Sequence, residues 1–158
     1  MFLESYADFL RNHLEEWTVT TQGSLLQGVS RYFVRLNPAA RGDVVLPGAV
    51  DRAEVRLPNQ PPGSPAVYPA RDIVDAGFLQ LVRYGILPAH SSLVVESLRV
   101  VDAVLKTDLP QGPCWRRYNH DGYGQKPGGG PYESWGQGRP WPLLTGERGH
   151  YNYQVEAY

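Results

Sequence analysis

The chain has 158 residues, 42% hydrophobic and 20% charged, which suffices for one buried core and excludes collagen or wholesale disorder. Its 15 Lys and Arg against 16 Asp and Glu leave a net charge of −1, too little overall field to grip nucleic acid or an acidic membrane. The single Cys114 cannot close an intrachain disulfide, and thiolate metal sites need several cysteines.

The segment Met1-Phe-Leu-Glu-Ser-Tyr-Ala-Asp carries acids where a secretion signal would be basic, and no apolar run approaches the about 20 residues of a membrane span. If Met1 is the true start, the chain is expected in the cytosol. Residues 2 to 17 set Phe2, Leu3, Tyr6, Phe9, Leu10, His13, Leu14 and Trp17 at steps of three and four, with acids and Arg11 opposite. That is an amphipathic helix. Two short stretches, from Thr18 and from Arg31, alternate polar with β-branched or aromatic residues and read as a small extended element. Asn37 to Pro69 holds seven of the 14 prolines, and each disfavours helix at its predecessor, so this stretch is expected as a long loop.

Helical spacing resumes from Ala70 to Tyr84, where Ile73, Val74, Gly77, Phe78, Leu81 and Val82 share a stripe that Gly85 and Pro88 terminate. Ser91 or Ser92 caps a further helix from about Leu93 to Lys106, and the short link makes the two an antiparallel hairpin. Asp108 to Pro140 reads as glycine-rich and irregular. A last helix begins at Trp141-Pro142, because proline is tolerated in a first turn. Four helices with loops of about thirty residues suit an all-α stack of hairpins, its loops gathered at one end, better than a short-looped bundle.

From Gly112 to Tyr158 the chain holds nine of its 18 aromatics and no Phe, together with ten of its 17 glycines. Trp and Tyr, flat in the face and polar at the rim, suit stacking on sugar rings, and glycine lets backbone approach a ligand. A plain glycine and tyrosine-rich surface loop is the competing reading. Within it, Cys114-Trp-Arg-Arg-Tyr-Asn-His-Asp-Gly-Tyr-Gly124 gathers two guanidinium groups, an amide, an imidazole and a carboxylate with no amphipathic period. A guanidinium fork and a carboxylate hydrogen-bond paired hydroxyls with strong selectivity. The same residues also suit a structural Arg117–Asp121 ion pair, and the two readings are compatible. Glu147-x-x-His150 lacks the second copy a di-iron site needs. Gly124-Gln-Lys-Pro-Gly-Gly-Gly lacks the Lys-Ser/Thr of a phosphate loop. Cys114 has no base partner placed by spacing and reads as a small buried filler.

The runs Gly112-Pro-Cys-Trp-Arg-Arg-Tyr-Asn-His-Asp-Gly-Tyr-Gly124 and Gly129-Gly-Pro-Tyr-Glu-Ser-Trp-Gly-Gln-Gly-Arg-Pro-Trp-Pro-Leu-Leu-Thr-Gly-Glu-Arg-Gly-His-Tyr151 resemble the bacterial glucoamylase and glucodextranase family, glycoside hydrolase family 15. Pro69 to Gly85 is also similar to it. The resemblance implies an (α/α)6 toroid, of which residues 1–158 would be an incomplete part with no separate second domain. It further implies inverting hydrolysis of α-glucosidic bonds from non-reducing ends, releasing glucose, with an α-glucan or maltooligosaccharide as substrate and no cofactor. Arg117 and Asp121 match the positions that hydrogen-bond sugar in the family's Arg-Tyr-x-x-Asp motif. Tyr118 belongs to that motif in a supporting role, and Trp141 matches an aromatic wall.

Inversion needs an acid and a base roughly 6.5 to 9.5 Å apart. The resemblance places them in a Trp-Glu-Glu motif before Phe2 and a Pro-Glu-Gln motif beyond Tyr158, so both catalytic glutamates are expected outside this chain. Glu15-Glu16-Trp17 has the reverse order and reads as helix surface. The tail from Asn152 departs from the family's Gly-His-Tyr-Glu-Leu. A toroid of six hairpins needs more chain than this, and the missing remainder of the domain is the expected partner. Two alternatives remain open: a non-catalytic saccharide-binding or inactive fragment, and an interaction module whose Trp and Tyr bury against a protein partner.

Overall fold

The computed structural model describes residues 2–38 and 46–156. Three long helices carry the architecture: α1 (Phe2–Thr18), α4 (Ser92–Leu105) and α5 (Pro142–Glu156). Between α1 and α4 lie the short strands β1 (Val19–Thr20), β2 (Tyr32–Phe33), β3 (Glu54–Arg56) and β4 (Val67–Pro69), with the short helices α2 (Ala49–Arg52) and α3 (Leu79–Arg83). Strands β1 and β2 pair antiparallel, as do β3 and β4. After α4, β5 (Lys106–Leu109), β6 (Gly112–Arg116) and β7 (Pro140–Trp141) form a three-stranded antiparallel sheet with β6 in the middle.

The core is built on α4, whose Leu93, Val94, Leu98, Val101 and Leu105 are buried at helical spacing. Ser91 caps it by accepting the Val94 amide. Ser97 is buried in the same face, and its hydroxyl satisfies itself twice. It accepts the Phe33 amide at 3.0 Å and donates to the Leu93 carbonyl at 2.7 Å, tying β2 to α4. Phe33 stacks on Phe78 at 5.1 Å between centroids, joining α4's layer to α3. Tyr151 of α5 is buried, and its hydroxyl donates to the Ala89 carbonyl at 3.0 Å, which docks α5 on the link before α4.

The expected helix over Ala70–Tyr84 does not form as one element. It splits into a 3-10 turn at Ala70–Asp72 and α3, although Ile73, Val74, Phe78, Leu79 and Val82 are buried as their spacing required. The reason lies in where the intervening backbone groups find partners. The Ile73 carbonyl accepts the Arg35 amide, the Asp72 carbonyl accepts Asn119 Nδ2, Asn119 Oδ1 accepts the Val74 amide, and the Asp75 carboxylate accepts the Gly77 amide. Tertiary hydrogen bonds and one local side-chain turn, Asp75 to Gly77, thus replace the helical ladder from 72 to 77. The expected irregular stretch from Asp108 likewise contains β6 and β7. Part of the expected Asn37–Pro69 loop lies outside the described residues; the rest holds α2, β3 and β4.

Helix α1 forms as its periodicity predicts, yet none of its residues is buried. Phe2, Leu3, Tyr6, Phe9 and Leu10 are exposed, and Phe2, Tyr6, Phe9, His13 and Trp17 form an aromatic ladder along it.

Candidate sugar site at the base of the 117–139 loop

Strand β6 delivers the chain into the loop and β7 brings it back, with Trp115 opposite Trp141 and Arg116 opposite Pro140. Residues far apart in sequence, Arg117 and Trp141, therefore meet at the mouth of one loop. Trp115 is buried, and its indole Nε1 donates to Asp102 Oδ1 at 2.9 Å. The same oxygen accepts Arg148 Nη1 at 2.7 Å, so one carboxylate on α4 fixes both β6 and α5 beneath the site.

Arg117 and Asp121 form a bidentate pair: Nε to Oδ2 and Nη2 to Oδ1, each 2.8 Å. The Asp121 side chain is fully covered while that of Arg117 is 36% exposed. Asp121 Oδ1 also accepts the Tyr123 amide at 3.0 Å. The Asp121 hydrogen bond, ahead of all other influences, holds the Arg117 guanidinium protonated. Three rings surround that guanidinium, with Tyr123 at 5.3 Å, Tyr118 at 5.5 Å and Trp141 at 6.0 Å from its carbon to their centroids. Tyr118 carries a second cation on its ring, Arg35, at 3.8 Å. Arg35 is in turn paired with Asp75 at 2.9 Å. Burial, then the Asp121 charge, pushes the Tyr118 phenol up, so it is a neutral hydrogen-bonding group at neutral pH.

The backbone is arranged to permit this. His120 has φ 58°, a left-handed turn that lets the chain double back between Arg117 and Asp121. Its carbonyl accepts Gln60 Nε2 at 2.7 Å and its ring stacks on Tyr68 at 4.2 Å. The stacked imidazole is held below its ordinary pKa by loss of water. A Cβ on Gly122 would collide with the Asn59 carbonyl and one on Gly138 with the Asp121 carboxylate, so glycine is required where these segments touch. The Gly138 amide donates to the Asp121 carbonyl at 2.7 Å, closing the return strand onto the motif.

All four residues singled out in the sequence, Arg117, Tyr118, Asp121 and Trp141, are thus brought together. Asn119 and His120 instead anchor the loop, as described. Arg35, Asp75 and Tyr123 also belong to the cluster: Arg35 sits far upstream with no motif around it, and Asp75 and Tyr123 lie within the family-like stretches without a role attached to them. Glu147 accepts Gln80 Nε2 at 3.1 Å on the α3 side, and Glu133 pairs with Lys126 on the surface. Among the described residues there is no group of three His, Cys, Asp or Glu able to hold a metal ion, and no helix long and apolar enough to cross a membrane.

The family model described as Glycosyl hydrolases family 15 matches residues 4–158. The chain belongs to this family. It is 39% identical over 145 residues to a glucoamylase of Clostridium sp. (strain G0005), an alignment covering 92% of the chain and 19% of that protein. It also matches the crystal structure of a bacterial glucoamylase complexed with acarbose, with TM-score 0.76 and 38% identity over 94% of the chain. The fold is therefore a portion of the family 15 (α/α)6 toroid. The chain spans about a fifth of the length of each of these relatives.

Proposed function

We propose that this chain supplies the sugar-binding loop of a glucoamylase-type glycoside hydrolase domain. That domain would cleave α-glucosidic bonds at non-reducing ends with inversion, releasing glucose from an α-glucan or maltooligosaccharide. The observation that carries the reading is the Arg117–Asp121 fork ringed by Tyr118, Tyr123 and Trp141. Such a site combines a flat aromatic wall for a pyranose face with fixed donors for its hydroxyls. The matched bacterial glucoamylase, solved with acarbose, supports an oligosaccharide ligand for a domain of this kind.

Roles divide by exposure. Arg117 spends Nε and Nη2 on Asp121, leaving Nη1 to donate to sugar hydroxyls. Asp121, fully covered and already accepting three hydrogen bonds, acts on the sugar through Arg117 rather than by direct contact. This narrows the role that the family motif implied for it. Trp141, 43% exposed, forms the wall. Tyr118 is the floor on which Arg35 and Arg117 rest.

The acid and base glutamates belong to the remainder of the domain. The uncovered aromatic stripe of α1 fits a helix that packs against further hairpins of a toroid. Residues 1–158 would then be an incomplete catalytic domain that binds sugar but does not cleave it. Incubating the purified chain with maltotetraose tests this: no glucose above a blank is expected. Enzyme-dependent glucose release by the chain alone would overturn the placement of both glutamates elsewhere.

A further inference from the structure

The near-zero net charge conceals a local excess of cations. A cavity of about 220 Å³ beside the base of the loop is lined by Arg116, Lys126 and Arg139 together with Gln125 and Gln137, and by no carboxylate among the described residues. Lys126 pairs with Glu133 outside this lining, but Arg116 and Arg139 take part in no ion pair among the described residues. Arg31, Arg35, Arg99, Arg117 and Arg148 each meet a carboxylate, while Arg11, Arg52, Arg56, Arg71 and Arg83 also take part in no ion pair among the described residues, so what sets Arg116 and Arg139 apart is that they share one cavity with Lys126. Arg116 Nε is buried and donates to no acceptor among the described residues, a costly arrangement for a charged donor.

The lining is held by backbone bonds. Arg116 pairs with Pro140 across β6 and β7. The Gln137 amide donates to the Gln125 carbonyl at 2.9 Å, the Lys126 amide to the Gly130 carbonyl at 2.9 Å, and the Gly129 amide to the Lys126 carbonyl at 3.0 Å. Arg117, Tyr118, Asp121, Tyr123 and Trp141 do not line the cavity, but Gly138 does and lies against the Asp121 carboxylate, so the cavity adjoins the sugar fork while its cationic lining is its own.

We propose that this cavity binds a tetrahedral oxyanion, either free phosphate or the phosphate ester of a sugar. Two unpaired guanidinium groups offer planar forks suited to phosphate oxygens, Lys126 adds a point charge, and the glutamine amides add neutral donors.

Calorimetric titration of the 158-residue chain with inorganic phosphate and with glucose 6-phosphate, at constant ionic strength with chloride as control, tests the site. Saturable binding is expected, weakened about tenfold or more by Arg139→Gln, as loss of one charged fork requires. Arg139 is exposed, so this substitution does not threaten the fold, and Arg83→Gln, an equal charge change at an exposed residue outside the cavity, should leave binding intact. Binding of phosphate alone identifies the free ion as ligand, and binding of the ester identifies a phosphorylated sugar. No saturable binding of either, or equal weakening by Arg83→Gln and Arg139→Gln, would overturn the proposal.

Discussion

Arg117 and Asp121 form a pair of unequal exposure: two 2.8 Å hydrogen bonds join a fully covered carboxylate to a guanidinium that is 36% open to solvent. Removing the arginine strands a covered negative charge, whereas amidating the acid keeps its volume and an oxygen for the Tyr123 amide. Breaking a buried pair from one side costs about 3–5 kcal/mol, reduced here because water reaches Arg117. Arg117→Ala should therefore destabilise the chain by about 2 kcal/mol or more, and Asp121→Asn by distinctly less. Urea unfolding measures both. Equal losses would mean that the coverage of Asp121 is not what makes the pair matter.

Glycine positions separate into two kinds. Gly122 lies against the Asn59 carbonyl, a backbone group that cannot swing aside, while Gly146 in α5 has open space where a Cβ would project. Gly122→Ala should displace the loop and cost several times RT, on the order of 2 kcal/mol or more, by forcing backbone apart. Gly146→Ala should instead stabilise by about 0.5–1 kcal/mol through helix propensity alone. Thermal unfolding of the two variants should move in opposite directions.

His120 provides a pH test of the loop. Its folded pKa is lowered by loss of water, with Asp72 opposing, so the folded state holds fewer protons than the unfolded state as the ring titrates. The stability this contributes is present above the unfolded value of about 6.5 and is lost as pH falls from there toward the depressed folded value. Melting temperature should decline with acidification starting near pH 6.5, before carboxylates titrate. His120→Asn, which tolerates the left-handed backbone, should flatten that early decline. An unchanged slope would assign the decline to other groups.

What could be read from sequence was what is decided locally. The apolar spacing of α1 and α4, the Ser91 cap and the proline in the first turn of α5 each depend on residues within a turn or two, and each formed. The density of Arg, Asn, His and Asp after Trp115 marked the loop that holds the cluster. What was hidden depended on distant partners. Asn119 interrupts a helical pattern 45 residues away by taking the Val74 amide, and Arg35 joins the cluster from 83 positions upstream of Tyr118. Strand β7 is two residues, Pro140 and Trp141, followed by Pro142, and only its pairing with β6 makes it a strand.

A saccharide held against Trp141 by Arg117 is the claim on which the functional account turns. Titrating the intrinsic tryptophan fluorescence of the chain with maltotriose tests it, using Trp141→Ala as the comparison because that side chain is 43% exposed and its loss spares the core. The account predicts a saturable change that Trp141→Ala abolishes or weakens about tenfold or more, the scale of losing a stacking wall. A flat titration of the unaltered chain, or the same saturation curve in Trp141→Ala, would contradict it.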